Sequence, residues 1–271
     1  LCYNPFFIAM GTTIEDFLFS EMILFGVDDE GAAKQAQKFY KTINKAPFHK
    51  TTLENAELIK VIYNTFISTK IAMMNTVMET CHHLPNTDVD DVTEALSKCD
   101  NRIISSKYLT GGMGDGGGCH PRDNIALSYL ARKFKLSYNW YDNIMKQREN
   151  QTEWLADLII ENKGDKQINI LGKTFKPETN IETGSPSILL KNILEEKGET
   201  VRMWDPHVDD SDIMKVKDEY EWDKVPQLFF IGTKHKTFID FYFMPGSVVI
   251  DPFRYLEVHD NVKYIPIGKN I

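Results

Sequence analysis

The chain has 271 residues, 31 Lys+Arg against 39 Asp+Glu for a formal net charge of −8, and 42% hydrophobic residues. That apolar share is far above disordered compositions, and no stretch approaches the roughly 18 apolar residues of a membrane span, which excludes an integral membrane protein. An acidic total with no long basic run argues against a protein built to hold a nucleic-acid backbone. At a prior of about 150 residues per domain, the length suggests two domains. The 4 cysteines (Cys2, Cys81, Cys99, Cys119) show no CxxC or other metal-ligand spacing, so no metal is expected. With no signal peptide in view, they read as reduced thiols of a cytoplasmic protein. The opening LCYNP runs straight into a strand-like segment, which reads as part of a longer polypeptide.

In chain order, a turn at Asn4-Pro5 is followed by the apolar run Met22-Ile23-Leu24-Phe25-Gly26, then by a helix-like stretch from Asp28 to Ile43. Thr51-Thr52-Leu53-Glu54 reads as a capping box, the threonine oxygen taking free N–H groups while Glu54 reaches back. From there to about Leu84 there is neither Gly nor Pro, and Pro85 is a natural stop. A helix of about 32 residues is roughly 48 Å long, too long for one small domain to bury. Ile59, Ile62, Phe66, Thr69, Met73 and Val77 form a stripe along it at spacings of three and four, which predicts a homodimer seam. A glycine loop occupies 111–118, with helices predicted over 119–135 and 139–162, the second closed by Gly164. Strands predicted at 168–171, 200–204, 227–231, 248–251 and 264–267 then alternate with helical or mixed segments, notably 186–197. The pattern predicts an α/β fold: a long central helix region, then a C-terminal, doubly wound, mostly parallel, Rossmann-like sheet.

Gly112 to Gly117 matches GxGxxG, but no apolar strand precedes it and no βαβ unit surrounds it, so it is rejected as a dinucleotide fingerprint. It reads instead as a loop whose backbone approaches a ligand closely. In Cys119-His120-Pro121-Arg122-Asp123, Pro121 suits a first helical turn and puts Cys119 at a helix N-terminus, where free N–H groups stabilise a thiolate. Asp123 lies one turn on. From the residues alone, nucleophile and small buried hydrophobe both stay open for Cys119. Lys60 and Asn64 share a helix face and can polarise an oxygen, or simply face water. Ile170-Leu171-Gly172 runs into Lys173-Thr174-Phe175-Lys176-Pro177 at the carboxyl edge of a sheet, where ligands collect. Ser185-Pro186-Ser187 opens a helix whose free N–H groups are a ready anion site. Asp205, after the 200–204 strand, is either a ribose-binding acid or a helix cap, with the cap favoured.

Asn4-Pro5, Lys60 with Asn64, the glycine loop with Cys119 to Asp123, Phe175-Lys176-Pro177, Ser185-Pro186-Ser187 and Asp251-Pro252-Phe253-Arg254 stand in the order found in nucleotide-sugar dehydrogenases. The whole chain resembles that family from the last piece of its N-terminal NAD-binding domain onward. The resemblance implies three parts: a remnant of that domain over 1–50, a central helical dimerisation domain with the cysteine loop over 51–163, and a UDP-sugar-binding domain over 164–271. It implies the NAD-dependent twofold oxidation of UDP-glucose to UDP-glucuronate, with Cys119 forming a thiohemiacetal and then a thioester. By the same resemblance, Lys60 and Asn64 stabilise oxyanions, Asp123 assists proton transfer and Arg122 meets the cofactor. Tyr108, Leu109, Gly114, Phe175, Lys176 and Arg254 meet the nucleotide sugar, with Arg102 contributed by the partner subunit of a homodimer. A GDP-mannose or UDP-N-acetylmannosamine dehydrogenase is the alternative among enzymes, and a noncatalytic nucleotide-sugar binder the alternative outside them. The chain departs from the family pattern at Phe6 and Met10, where glutamates are common, at Asp115 for an aromatic, and at Thr183 for an arginine that helps hold NAD. One extra residue also stands between Arg102 and Cys119. These departures fall on catalytic and cofactor positions more than on substrate positions.

Overall fold

The computed structural model describes residues 1–8, 12–105, 111–114, 119–208, 222 and 224–269, without the side chains of residues 61, 64, 65, 68, 71, 72, 75, 76, 119 and 120. The chain divides into two compact units, Leu1–Met78 and Glu79–Ile271. Among the described residues, no helix is long and apolar enough to cross a membrane.

The first unit is built on a small sheet of order β1-β2-β3, formed by β1 (Cys2–Tyr3), β2 (Ile23–Val27) and β3 (Phe48–Thr51). The outer pairs differ: β1 lies antiparallel to β2, and β3 parallel to it. The apolar run is β2, whose Ile23 and Phe25 pack with Tyr40 and Phe48. Two helices precede the long one: α1 (Thr13–Leu18) and α2 (Glu30–Tyr40), the latter capped by the Asp29 carboxylate at the Gly31 and Ala32 amides. The long helix is α3 (Leu53–His83), as its sequence predicts. Its cap differs from the expected box, because Thr51 already belongs to β3. Thr52 Oγ1 accepts from Asn55 N at 3.3 Å, and Asn55 Nδ2 donates to Thr51 Oγ1 at 3.1 Å, so the cap rests on Thr52 and Asn55 and not on Thr51 and Glu54. A Cβ on Gly26 would stand 2.8 Å from Ala56 Cβ, so glycine is what lets the first turn of α3 lie on β2.

The second unit continues with α4 (Val89–Ser97), α5 (Cys119–Phe134) and α6 (Trp140–Lys163). Lys135, at φ 53, ends α5, and Gly164, at φ 56, ends α6 as predicted. The sheet contains β4 (Ile168–Leu171), β5 (Val201–Trp204), β6 (Leu228–Ile231), β7 (Val248–Asp251) and β8 (Lys263–Pro266), with α7 (Pro186–Glu196) between β4 and β5. All four pairings are parallel, in the order β5-β4-β6-β7-β8. This is the doubly wound, Rossmann-like α/β architecture expected from the alternation, with its topological switch point between β4 and β6.

Alternation within each strand serves two faces. Ile168, Ile170, Leu228, Phe230, Val248 and Ile250 face a core shared with Leu155, Ile159, Leu190 and Leu194 of α6 and α7. Leu171, Phe229, Ile231 and Val249 face an aromatic cluster containing Trp204, Trp222, Phe238 and Phe243. Burying these side chains contributes roughly 1.5–3 kcal/mol apiece before conformational entropy is set against it.

Candidate functional site

The carboxyl edge of the five-stranded sheet is where the second unit gathers its polar groups. Gly172 follows β4 at φ 107, and a Cβ there would lie 2.5 Å from Thr233 N. Gly232 follows β6, and its Cβ would stand 2.4 Å from Ser187 Oγ. The two glycines let the ends of β4 and β6 close on each other, and Ser187 Oγ fastens the junction by donating to Gly232 O at 2.9 Å.

Asp205 organises the loops above that junction. Its Oδ2 accepts from Lys173 N at 2.7 Å, Thr174 N at 3.0 Å and Thr174 Oγ1 at 3.2 Å, while Oδ1 accepts from His207 N at 2.8 Å. His235 Nε2 meets the same Oδ2 at 3.0 Å, and both side chains are fully buried. Burial pushes the carboxyl upward, but the His235, His207, Lys173 and Thr174 donors outweigh it and hold Asp205 well below the usual carboxylate range. Both expected roles for Asp205 are therefore corrected. Buried at 1% exposure and with no helix starting at it, it neither meets a ribose nor caps a helix, and it pins the β4 loop instead.

The expected anion site at Ser185-Pro186-Ser187 is corrected as well. Ser185 Oγ takes the Ser187 amide at 3.2 Å, Pro186 has no N–H, and all three residues are buried. Gly114, at φ 74, lies against this turn, where its Cβ would stand 2.9 Å from Pro186 Cβ. Gly114 thus covers the start of α7 where an anion was expected. Gln151 Nε2 holds Gly112 O at 3.1 Å, and Arg254 Nη2 holds Gly111 O at 2.7 Å. Arg254, itself at φ 58, also donates to Ile267 O at 2.9 Å and to Pro252 O. Asp251 builds that turn, accepting from the Phe253, Tyr255 and Leu256 amides and from Tyr264 OH. Burial first, then Asp251, pushes the Tyr255 and Tyr264 hydroxyls up.

The structure therefore brings Gly114 and Arg254 to one sheet edge, with the half-buried Phe175 and exposed Lys176 on the β4 loop. Cys119 is the first residue of α5, as the sequence predicts, while its side chain lies outside the described residues. Asp123 and Arg122 pair with each other at 3.0 Å on the exposed surface of that helix. Arg102 is exposed in the turn after α4, and Tyr108 and Leu109 lie outside the described residues.

Lys60 belongs to the first unit, on α3. It donates to Phe6 O at 2.6 Å and lies 4.9 Å from the centroid of the Phe7 ring. Asn4 fixes the same segment to β2 by donating to Leu24 O at 2.9 Å. A cleft of about 410 Å³ opens here, lined by Phe7, Asp16, Glu21, Lys60 and Tyr63 among others. Burial and the neighbouring Glu21 raise the Tyr63 hydroxyl. The Asn64 side chain lies outside the described residues.

Sequence reading missed Gln151 and Ser187 as supports of the glycine loop and strand junction, and it missed a cluster of Glu178, His207 and His235. One ligand atom from each of these three lies within 4.8 Å of the others. No spacing could have flagged them, since they sit in three separate loops.

A sequence profile described as the UDP-glucose/GDP-mannose dehydrogenase family, central domain, matches residues 54–150. The UDP-glucose 6-dehydrogenase YwqF of Bacillus subtilis is 30% identical over 206 residues, covering 75% of this chain and 46% of that protein. A Rickettsia conorii UDP-glucose 6-dehydrogenase is 31% identical over 207 residues, covering 75% and 47%. The chain thus spans about half the length of the curated relatives it matches. In fold, it is similar to a GDP-mannose dehydrogenase from Pseudomonas aeruginosa, solved as a ternary complex, with a TM-score of 0.83 at 23% identity over 97% of this chain and 64% of that one.

Proposed function

Because the chain belongs to the UDP-glucose/GDP-mannose dehydrogenase family, we propose that it takes part in the NAD-dependent twofold oxidation of UDP-glucose at C6. The observation that carries this reading is the placement of Cys119 at the first residue of α5, in a chain segment whose Gly111 and Gly112 are held by Arg254 and Gln151. A thiol at a helix N-terminus is favoured as thiolate by the free N–H groups there. Such a thiolate adds to the C6 aldehyde as a thiohemiacetal, and the thioester at the next oxidation level is cleaved by water, which splits one hard conversion into easier ones. Resemblance gives Lys60 and Asn64 the developing oxyanions, Asp123 the proton transfer, and Lys176 and Arg254 the nucleotide sugar. The described residues do not fit NAD. Gly112 and Gly114 are packed on Phe253 and Pro186, which fill the space a pyrophosphate would need beside these glycines. A homodimer through α3 belongs to the same reading, supported by the exposed Ile62 and Phe66 on that helix.

Alkylation of the four cysteines, followed by peptide mass, tests the proposal. Cys119 is expected to react with iodoacetamide faster than Cys2, Cys81 and Cys99 at neutral pH, and UDP-glucose is expected to slow it at least tenfold. Equal reactivity of all four, unaffected by UDP-glucose, overturns the reading.

A further inference from the structure

We propose that Glu178, His207 and His235 form a binding site for one divalent transition-metal ion of the zinc class, which ties together the loops that follow β4, β5 and β6. The proposal stands on side-chain geometry and is independent of the enzymatic reading. It also replaces the expectation of no metal that the cysteine spacing suggested.

The donor set is chemically apt, since two imidazoles and one carboxylate are a recurrent zinc combination that leaves a fourth position for water. The separations suit it. Tetrahedral zinc with bonds of about 2.0–2.1 Å places its ligand atoms roughly 3.3 Å apart. Here His207 Nε2 lies 3.4 Å from Glu178 Oε2, and His235 Nδ1 lies 3.8 Å from the other oxygen, Oε1. With one ligand atom from each residue the set lies within 4.8 Å, so the side chains close by about an ångström on the ion. The two imidazole rings are 4.9 Å apart, centroid to centroid.

A further feature separates this cluster from a chance surface group. His235 is fully buried, and its other nitrogen, Nε2, lies 3.0 Å from the buried Asp205 carboxylate. The Glu178 amide donates to Nδ1 at 3.1 Å, so Nδ1 is an acceptor and the Nε2 proton faces Asp205. That leaves Nδ1 as the lone-pair nitrogen, turned toward Glu178. A carboxylate that fixes the tautomer of a histidine from behind is the usual second partner of a metal-binding imidazole. Without metal, Nδ1 accepts from the Glu178 amide at 3.1 Å. Glu178 makes that bond in a left-handed conformation, φ 58, which strains a non-glycine residue. Metal at Nδ1 displaces this amide and lets Glu178 leave the strained conformation, which partly offsets the lost hydrogen bond. Access is open, because the His207 and Glu178 side chains are 35% and 42% exposed. The loop so tied carries Phe175 and Lys176, so metal would stiffen the side of the sheet edge that bears them.

The test is titration of EDTA-stripped, tag-free protein with Zn²⁺ and with Co²⁺. One saturable equivalent is expected, with a Co²⁺ visible spectrum that lacks a thiolate charge-transfer band, and with a melting midpoint that rises at saturating Zn²⁺. His207→Ala and Glu178→Gln are each expected to weaken binding at least tenfold. Glu178→Gln keeps the experiment readable should the other variant fold poorly, because its amide oxygen still accepts from Lys236 N, as Glu178 Oε1 does at 2.9 Å. Absence of saturable binding, a thiolate band that assigns the metal to cysteines, or unchanged affinity in Glu178→Gln overturns the proposal.

Discussion

Replacing Asp205 by Asn probes the group that holds the β4, β5 and β6 loops together. The side chain keeps its shape and loses its charge. Five donors converge on the carboxylate: the Lys173, Thr174 and His207 amides, the Thr174 hydroxyl and His235 Nε2. An amide can turn its NH₂ toward only one side, so the least disruptive rotamer points it at His207 N, leaving that amide unpaired. The remaining bonds fall from charge-assisted to neutral strength, a loss of about 1 kcal/mol each. With an unpaired amide costing about 1–3 kcal/mol, the terms reach about 5–7 kcal/mol. The lower cost of burying a neutral amide, together with donors that share one carboxylate, brings the net loss to about 3 kcal/mol. For a unit the size of Glu79–Ile271, that is a fall of roughly 6–12 °C in melting midpoint. Scanning calorimetry across pH checks the charge directly. The folded-state pKa of Asp205 is depressed, so its contribution is complete above the unfolded value of about 3.9 and is lost as pH falls through the folded value. The gap between wild type and Asp205→Asn is therefore expected to be constant from pH 7 to pH 5 and to narrow below pH 4. A gap under 2 °C at pH 7, or one that does not narrow in acid, would refute the reasoning.

Other outcomes follow from the same packing. Gly172→Ala is expected to cost more than about 3 kcal/mol, since its Cβ would lie 2.5 Å from Thr233 N at φ 107, whereas Gly198→Ala, with nothing within 4 Å at φ 87, should cost only about 1 kcal/mol of backbone strain. Equal melting shifts for the two would contradict the close approach of β4 and β6. Arg254→Met frees the Gly111 and Ile267 carbonyls, so calorimetry should show UDP-glucose binding roughly tenfold weaker, equal to about 1.4 kcal/mol. An unchanged affinity would separate the glycine loop from substrate binding. Ile62→Asp combined with Phe66→Asp, at side chains 55% and 50% exposed, should convert the expected dimer to monomer by light scattering. A wild-type protein already monomeric at micromolar concentration would remove the seam.

The parallel sheet was legible because strands covered on both faces are near-continuous apolar runs, LFFI throughout and INIL and VVID with one polar residue each. The long helix was legible from its capping signal and the absence of Gly and Pro. Short elements were not. The strand β3 has only four residues, FHKT, and its last threonine resembles a helix cap as readily as a strand end. The helix α1 has six residues and no side-chain cap bond, because Thr12 Oγ1 donates to Asp16 at 2.8 Å. Asp205 was misread for a different reason. A strand followed by Asp-Pro looks the same whether the acid caps a helix, binds a ribose or anchors a loop, and the deciding partners, Lys173 and His235, lie about thirty residues away on either side. Glu178, His207 and His235 share no local pattern at all, so only the closing of β4 on β6 reveals them as neighbours.

The aromatic face of the sheet has an optical consequence. Trp204 and Trp222 sit with ring centroids 5.5 Å apart and planes at 63°, close enough for their excited states to couple. The chain's other two indoles are Trp140 and Trp154, so all 4 tryptophans lie beyond residue 78 and the Leu1–Met78 unit contains none. Indole emission therefore follows the second unit by itself. Tyr3, Tyr40 and Tyr63 remain as chromophores in the first, where Tyr40 is buried against Phe25 and Tyr63 lines the Lys60 cleft. Excitation at the red edge of absorption thus reports the melting of the second unit alone in an unlabelled sample.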